Sequence, residues 1–259
     1  MSEAPQPKPR RSHFSGVAQI VRYNWPFYLG GSIALAVAGI WLTGGSGAPW
    51  LRQIAGLAAA IGAFWMMASL VASHWIYDRS ALYRWTWVPG ALAALPRRWL
   101  NLHAGLDESS QQLRELLPDS EGVVADFFDA TEMTEPSILR ARSLQVKVPA
   151  TIQISHRQLP FPDGSFDAVF LFFAAHELRQ AGAREALFKE LHRVLRSNGT
   201  LLLVEHVRDL ANFAAFGPGC WHFLPLAEWH RLGASAGFTL RADRRMTPFV
   251  HFLHWQKSA

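Results

Sequence analysis

Residues 159–169 read LPFPDGSFDAV and residues 189–201 read KELHRVLRSNGTL. The first segment passes from a loop punctuated by Pro160, Pro162 and Asp163-Gly164 directly into apolar residues, the way a chain enters a buried strand. The second closes a helical pattern in which Ala186, Leu187, Leu191, Val194 and Leu195 recur at helical spacing. Ser197-Asn198-Gly199 reads as the glycine stop of that helix, and a new apolar run opens at Thr200. Strand, helix and strand in this order form the unit of a parallel sheet wrapped by helices. Working outward, we expect strands near 99–103, 122–126, 151–155, 167–173, 200–205, 239–244 and 249–255, with helices over 108–117, 135–143, 183–195 and 225–236. The last two strands have only a turn between them, which predicts antiparallel pairing at one edge of the sheet.

In order, wording and spacing these segments, with Ala236-Gly237-Phe238 before the sixth strand, resemble the class I S-adenosylmethionine-dependent methyltransferases. Within that family they are most similar to the ubiquinone/menaquinone-biosynthesis type. The resemblance covers roughly residues 98–259. It implies an α/β fold, a Rossmann-like seven-stranded methyltransferase sheet. The cofactor, S-adenosylmethionine, would lie over the carboxyl ends of the first strands, where strand order reverses.

Residues 99–107, WLNLHAGLD, stand where that family has hydrophobic-Asp-hydrophobic-Gly-x-Gly-x-Gly. Of the three glycines only the middle one, Gly105, is kept; Asn101 takes the aspartate's place, His103 the first glycine's and Asp107 the third's. The resemblance therefore implies cofactor contacts at Asn101, His103, Ala104, Gly105 and Asp107. It places the ribose carboxylate at Asp126, with Asp129 in reserve. Ser155, four residues before Leu159, occupies the position of a further acidic contact, so the adenine side must be held differently or not at all. Two readings stay open: the polar side chains still hold the ligand, or the domain has lost its cofactor and serves as a binding module. A nicotinamide-dependent reductase is excluded. There is no G-x-G-x-x-G, and Tyr23, Tyr28, Tyr77 and Tyr83, the chain's four tyrosines, all precede the domain.

A sulfonium-borne methyl is already activated, so catalysis needs an aligned acceptor and exclusion of water. A base is needed only where the acceptor carries a proton. His176-Glu177 follows the fourth strand, and His176 is the first candidate for a base or acceptor-orienting group; the alternative is a helix-start histidine bonded to backbone. Glu205-His206 ends the fifth strand, and because neighbours on a strand face opposite ways only one can face the pocket; His206 is ranked first. Residues 217–222, GPGCWH, form either a loop closing over the acceptor or a plain connection. Gln180 stands where H-E-x-x-H would need its second histidine, and His251 and His254 cannot share a strand face. No metal site is expected.

The N-terminal half has a different character. No charged side chain occurs between Arg22 and Arg52, and none between Arg52 and Asp78. Seven of the 11 tryptophans (Trp25, Trp41, Trp50, Trp65, Trp75, Trp85, Trp87) lie before residue 90. Two uncharged runs with aromatic ends predict a transmembrane hairpin, residues 23–78, with helices over about 24–43 and 53–77 joined by a Gly/Pro turn. A cleavable signal peptide would have a shorter apolar region and no second span at once behind it. Lys8, Arg10, Arg11 and Arg22 precede the hairpin and Arg79, Arg84, Arg97 and Arg98 follow it, which predicts an integral two-pass protein with both termini and the catalytic domain cytoplasmic. Residues 1–22 are expected to be a disordered basic tail. Residues 79–98, with Tyr83, Trp85 and Trp87, are expected to be an amphipathic connector at the headgroup level, and 99–259 the domain proper.

Of the net charge of +5, nothing comes from residue 99 onward, where sixteen Lys and Arg face eighteen Asp and Glu. The basic excess therefore suits membrane lipids and not nucleic acid. The single Cys220 excludes an internal disulfide. The expected partners are a lipophilic small-molecule acceptor and the membrane itself.

Overall fold

The computed structural model describes residues 13–45, 47–144 and 150–258, and the chain divides into two compact units, residues 1–80 and 81–259. The first unit is helical: α1 (Ser15–Tyr23), α2 (Trp25–Thr43) and α3 (Pro49–Ser73), the last running on into a π-helical turn, His74–Arg79. Prolines open α2 and α3, where a missing N–H costs nothing. Tyr28 and Ser69 share a hydrogen bond of 3.2 Å across the hairpin. A Cβ on Gly31 would lie 2.7 Å from Met66 Sδ, so glycine there permits the close approach. Arg52, the one charged residue within α2 and α3, donates to Leu42 O at 2.6 Å and satisfies a terminal carbonyl of α2.

Both helices are long and apolar enough to cross a bilayer, and no residue of α2 is buried. Phe27, Ile33, Val37, Leu57, Phe64 and Val71 are among their exposed side chains.

Part of the expected disordered tail is helical. The first turn of α1 has no side-chain cap of its own; instead Asp78 accepts hydrogen bonds from Gly16 N–H at 2.6 Å and Val17 N–H at 3.1 Å. A carboxylate placed at the positive end of a helix stabilises it, and this one comes from 62 positions downstream, beyond the reach of local pattern. Residues 1–12 of that expectation lie outside the described residues.

The second unit opens with a one-turn helix, α4 (Val88–Ala91), and then alternates strand and helix. The order is β1 (Arg98–His103), α5 (Ser110–Leu116), β2 (Glu121–Asp126), α6 (Pro136–Leu144), β3 (Thr151–Gln153), β4 (Phe166–Phe172), α7 (Ala181–Val194) and β5 (Leu195–His206). After these come α8 (Leu210–Phe216), α9 (Leu226–Ser235), β6 (Phe238–Thr247) and β7 (Val250–Lys257). The sheet has seven strands in the order β3-β2-β1-β4-β5-β7-β6. The first five are parallel, and β7 inserts antiparallel between β5 and β6, which leaves β6 at the edge. Strand order reverses between β1 and β4, so their carboxyl ends, paired at Leu102 and Leu171, mark the crevice of this fold.

The segments that predicted the fold hold each other in place. Glu190 of α7 accepts from Leu159 N–H at 2.7 Å, while Arg193 donates to Leu159 O at 2.9 Å, Phe161 O at 2.8 Å and Asp163 at 2.7 Å. Asp167 accepts from the backbone N–H of Arg97 and Arg98, both at 2.9 Å, tying β4 to the start of β1.

Three local readings differ. Helix α7 ends at Val194, not at a glycine stop: Leu195 is already extended, and Asn198, at φ 62°, sits in an irregularity of the β4–β5 ladder. Helix α8 was not foreseen; Asp209 caps it by accepting from Asn212 N–H at 2.9 Å. The aromatic residues expected at the headgroup level pack on the sheet instead. Trp85 is buried and stacks on Phe172 at 4.7 Å, Tyr83 stacks on Phe173 at 5.6 Å, and Trp87 meets Phe252 edge-on at 5.2 Å. Aromatic faces on β4 and β7 offer these rings a larger burial than an interface would.

A Cβ on Gly122 would stand 2.1 Å from the ring of buried Trp99, whereas one on Gly182 in α7 would meet nothing within 4 Å. Gly122→Ala is expected to destabilise the unit by about 1–3 kcal/mol through overpacking. Gly182→Ala should be neutral or stabilising by about 0.5–1 kcal/mol. Urea unfolding of the two variants in detergent checks this, and equal midpoints would contradict it.

Candidate active site at the carboxyl edge of the sheet

Every site residue foreseen on β1, β2, β4 and β5 reaches one edge of the sheet, but their tasks differ. Gly105 follows β1 with φ +89°, a left-handed conformation that favours glycine. Its N–H donates to His103 Nδ1 at 3.1 Å. Burial pushes the His103 ring below its ordinary pKa despite nearby Asp107 and Asp126. The neutral ring, accepting at Nδ1, therefore carries its hydrogen on Nε2, and that buried donor has no partner among the described residues.

Asn101 is buried and gives its amide hydrogens to Ser109 Oγ at 3.0 Å and Ser110 Oγ at 2.7 Å, leaving Oδ1 without a partner among the described residues. Asp107 accepts from Ser109 N–H and Ser110 N–H at 3.1 and 3.0 Å, which organises the start of α5. Ala104 belongs to the apolar core.

Asp126 ends β2, side by side with His103 in the ladder. Burial would raise its pKa, but hydrogen bonds from Arg142 and Gln153, each 2.7 Å from Oδ2, and from Phe128 N–H, 2.9 Å from Oδ1, hold the carboxyl below its usual range. Arg142 and Gln153 were not foreseen. Arg142 lies 16 positions away on α6, its guanidinium 4.0 Å over the Phe128 ring, and a Cβ on Gly105 would be 2.0 Å from its Nη1. The arginine thus fills the space in front of the glycine. Ser155 stays apart from this cluster: it is exposed, and its hydroxyl accepts from Arg157 N–H at 3.2 Å. Its side chain turns toward its own loop, and Gln153, two residues earlier on β3, reaches the carboxylate instead.

Across the reversal point β4 ends in strain. Phe173 takes φ 51°, a conformation costing about 1–3 kcal/mol for a non-glycine residue, held by its N–H to Val204 O at 2.8 Å and the Tyr83 stack. The chain then turns sharply through Ala175–Glu177. Glu205 anchors that turn: it accepts from Ala175 N–H at 2.9 Å, His176 N–H at 3.3 Å and His176 Nδ1 at 2.7 Å. The other ring nitrogen of His176 lies 3.4 Å from Glu177 Oε1.

The pleat turns Glu205, not His206, toward the 175–177 turn, which makes Glu205 the partner of His176. His206 Nδ1–H donates to Phe249 O at 3.0 Å, and its ring stacks on Phe223 at 4.7 Å. Burial and the charge of His176 push His206 down to about 4.

His222, at the end of the turn Gly217–His222, stands edge-on to His176 at 5.1 Å, and burial with the His176 charge pushes it down to about 3. Burial alone would depress His176, but the charge of Glu205 and the hydrogen bonds of both glutamates outweigh it and push the ring up to about 10. Glu177 is held below its usual range, burial being outweighed by His176. An imidazole that keeps its proton in this way is, in this arrangement, a hydrogen-bond donor and positive charge, which suits the acceptor-orienting role expected for His176 more than that of a base. His176, Glu177 and His222 bring one ligand atom each to within 4.8 Å of one another, a grouping that linear spacing does not reveal.

The raised pKa gives a sign. His176 stabilises the fold fully below its ordinary value of 6.5 and loses that contribution as pH rises through about 10. The stability gap between the native chain and Glu205→Gln is expected to be wide near pH 6 and to shrink above roughly pH 10. Denaturant unfolding at the two pH values checks this; a gap independent of pH would contradict it.

With this geometry in place, the comparisons with known proteins are informative. Residues 105–203 match the family model described as methyltransferase domain. The chain is 35% identical over 115 residues to the demethylmenaquinone methyltransferase of Thermus thermophilus, 44% of this chain and 50% of that protein. It is 31% identical over 107 residues to the ubiquinone/menaquinone biosynthesis C-methyltransferase of Shewanella oneidensis, 41% of each. The chain thus spans about half the length of these relatives or less. Human N-acetylserotonin methyltransferase, solved in complex with S-adenosylmethionine, superposes with a TM-score of 0.54 over 96% of this chain and 72% of that one, at 13% identity, a likeness of fold alone. The sheet unit has a methyltransferase fold and, over residues 105–203, a sequence similar to methyltransferase domains.

Proposed function

We propose that the chain is an S-adenosylmethionine-dependent methyltransferase acting on a small lipophilic acceptor at a membrane. The observation that carries this reading is the convergence in front of β1 and β2 of left-handed Gly105 and ionised Asp126, both inside the matched segment, with the partnerless buried polar atoms of Asn101 and His103 just before it. Asp126 would hold the ribose hydroxyls, Gly105 would admit close backbone approach, and Asn101 and His103 would offer an acceptor and a donor to the methionine portion. The cofactor supplies an electrophilic methyl group. The chain's own part is to orient the acceptor and exclude water, for which His176, His206, His222 and Phe223 form a polar and aromatic wall.

Arg142 and Gln153 already occupy Oδ2 of Asp126, so holding a ribose requires Arg142 to turn away. This same occupation favours the second reading, a binding module without cofactor. Calorimetric titration of the full chain in detergent separates them. The native chain is expected to bind the cofactor, Asp126→Ala to bind about 10–100-fold more weakly, and Arg142→Ala at least as tightly as native. No heat from the native chain and from Arg142→Ala at high micromolar cofactor would leave the module reading.

The names of the relatives, concerned with menaquinone and ubiquinone, support a quinone-type lipophilic acceptor. Membrane insertion is supported by the exposed apolar side chains of α2 and α3, since a helix pair buried in a soluble core would hide them. Basic residues on both flanks support a cytoplasmic location for both termini and the catalytic domain. A reporter fused after Ala259 is expected to be active only on the cytoplasmic side; activity on the opposite side would overturn this orientation.

A further inference from the structure

We propose that His176, Glu177 and His222 form a site for one zinc-class divalent cation, with Glu205 as the outer carboxylate behind His176. Two histidines and a glutamate with a fourth position open are the donor set of a catalytic zinc site. The spacing suits it. Ligand atoms each about 2.0–2.1 Å from a tetrahedral metal stand about 3.4 Å apart, and His176 Nε2 lies 3.4 Å from Glu177 Oε1. All three ligand atoms fall within 4.8 Å, and His222, the more exposed ring, closes the remaining gap by rotating.

Two independent observations point to a ligand here. Glu177 is 7% exposed, yet its Oε2 has no hydrogen-bond partner among the described residues. Glu205, itself 1% exposed, engages His176 at Nδ1, the nitrogen away from Glu177, at 2.7 Å. That is the carboxylate–histidine–metal relay, which fixes the ring with its other nitrogen aimed at the ion.

The charges also fit. Arg179 donates to His176 O and His222 O at 3.4 and 2.6 Å and Glu135 lies 3.9 Å from His222 Nδ1, so the carboxylates of Glu177, Glu205 and Glu135 are balanced by Arg179 and a divalent ion. An oxygen anion suits the open position. On the proposed methyltransferase reading, it is the phenolate or enolate oxygen of the acceptor, which the metal would hold as a Lewis acid.

The test uses the full chain in detergent, stripped with a chelator, with no cofactor or acceptor present. Titration with Co²⁺ is expected to give the visible absorption of a four-coordinate ion at one equivalent, displaced by Zn²⁺. His222→Ala and Glu177→Gln should each abolish that spectrum, and Glu205→Gln should weaken binding about 10–100-fold. His222 is the most exposed of the set, so His222→Ala keeps the test valid if the buried variants fail to fold. No stoichiometric binding by the native chain, or an unchanged spectrum in His222→Ala, overturns the proposal. Because the cofactor is absent, either result stands apart from the outcome of the cofactor titration.

Discussion

The arrangement at the reacting edge depends on one buried carboxylate. Glu205 is 1% exposed at the end of β5, and an ion so placed is tolerated only where donors replace the water it has lost. Two backbone N–H groups and the His176 ring supply them, and in doing so they dictate the sharp turn after β4. The left-handed Phe173 that begins this turn is a conformational cost the anchored carboxylate helps to offset. With Glu177 on the far side of the ring, two acidic groups demand a positive charge between them. In the metal-free chain the His176 proton provides it; in the proposed site a divalent ion does.

The opposite half of the edge follows the same logic of compensation. Asp126 is buried where the fold places its ligand crevice, and an arginine from α6 fills the place in front of Gly105. Arg142 satisfies the carboxylate and covers the Phe128 ring, so one side chain supplies both a charge partner and a stacked plane. A nucleoside would present hydroxyls and a flat base to the same two groups. The arginine is a competitor of similar geometry.

How much of this was readable before folding differs by kind of interaction. The sheet was legible because its signals are local: apolar runs between turn residues, and a helix with one apolar stripe. The antiparallel pairing of β6 with β7 followed from the short turn between them, whereas the insertion of β7 beside β5 did not. The places of Asp126, Gly105 and His176, at the end of a strand or just beyond one, were legible because the ends of apolar runs mark where the chain leaves the sheet. Arg142 and Gln153 were not, since each reaches the site from another element and nothing in a neighbouring residue marks them; His222 was visible only as the end of the 217–222 loop, not as a neighbour of His176. Asp78 capping α1 is the same case in the helical unit. The choice between Glu205 and His206 turned on pleat phase, which a one-residue uncertainty in register inverts. Tyr83, Trp85 and Trp87 misled because the same aromatic residues suit a membrane interface and a sheet face.

On the proposed reading, S-adenosylmethionine binds at the carboxyl ends of β1 and β2. Photolabelling of the full chain in membranes with methyl-tritiated S-adenosylmethionine, followed by peptide mapping, tests it most directly. Label is expected in the peptides spanning residues 98–128 and to be suppressed by excess unlabelled cofactor. Saturable label confined to other peptides, or none above background, would contradict it.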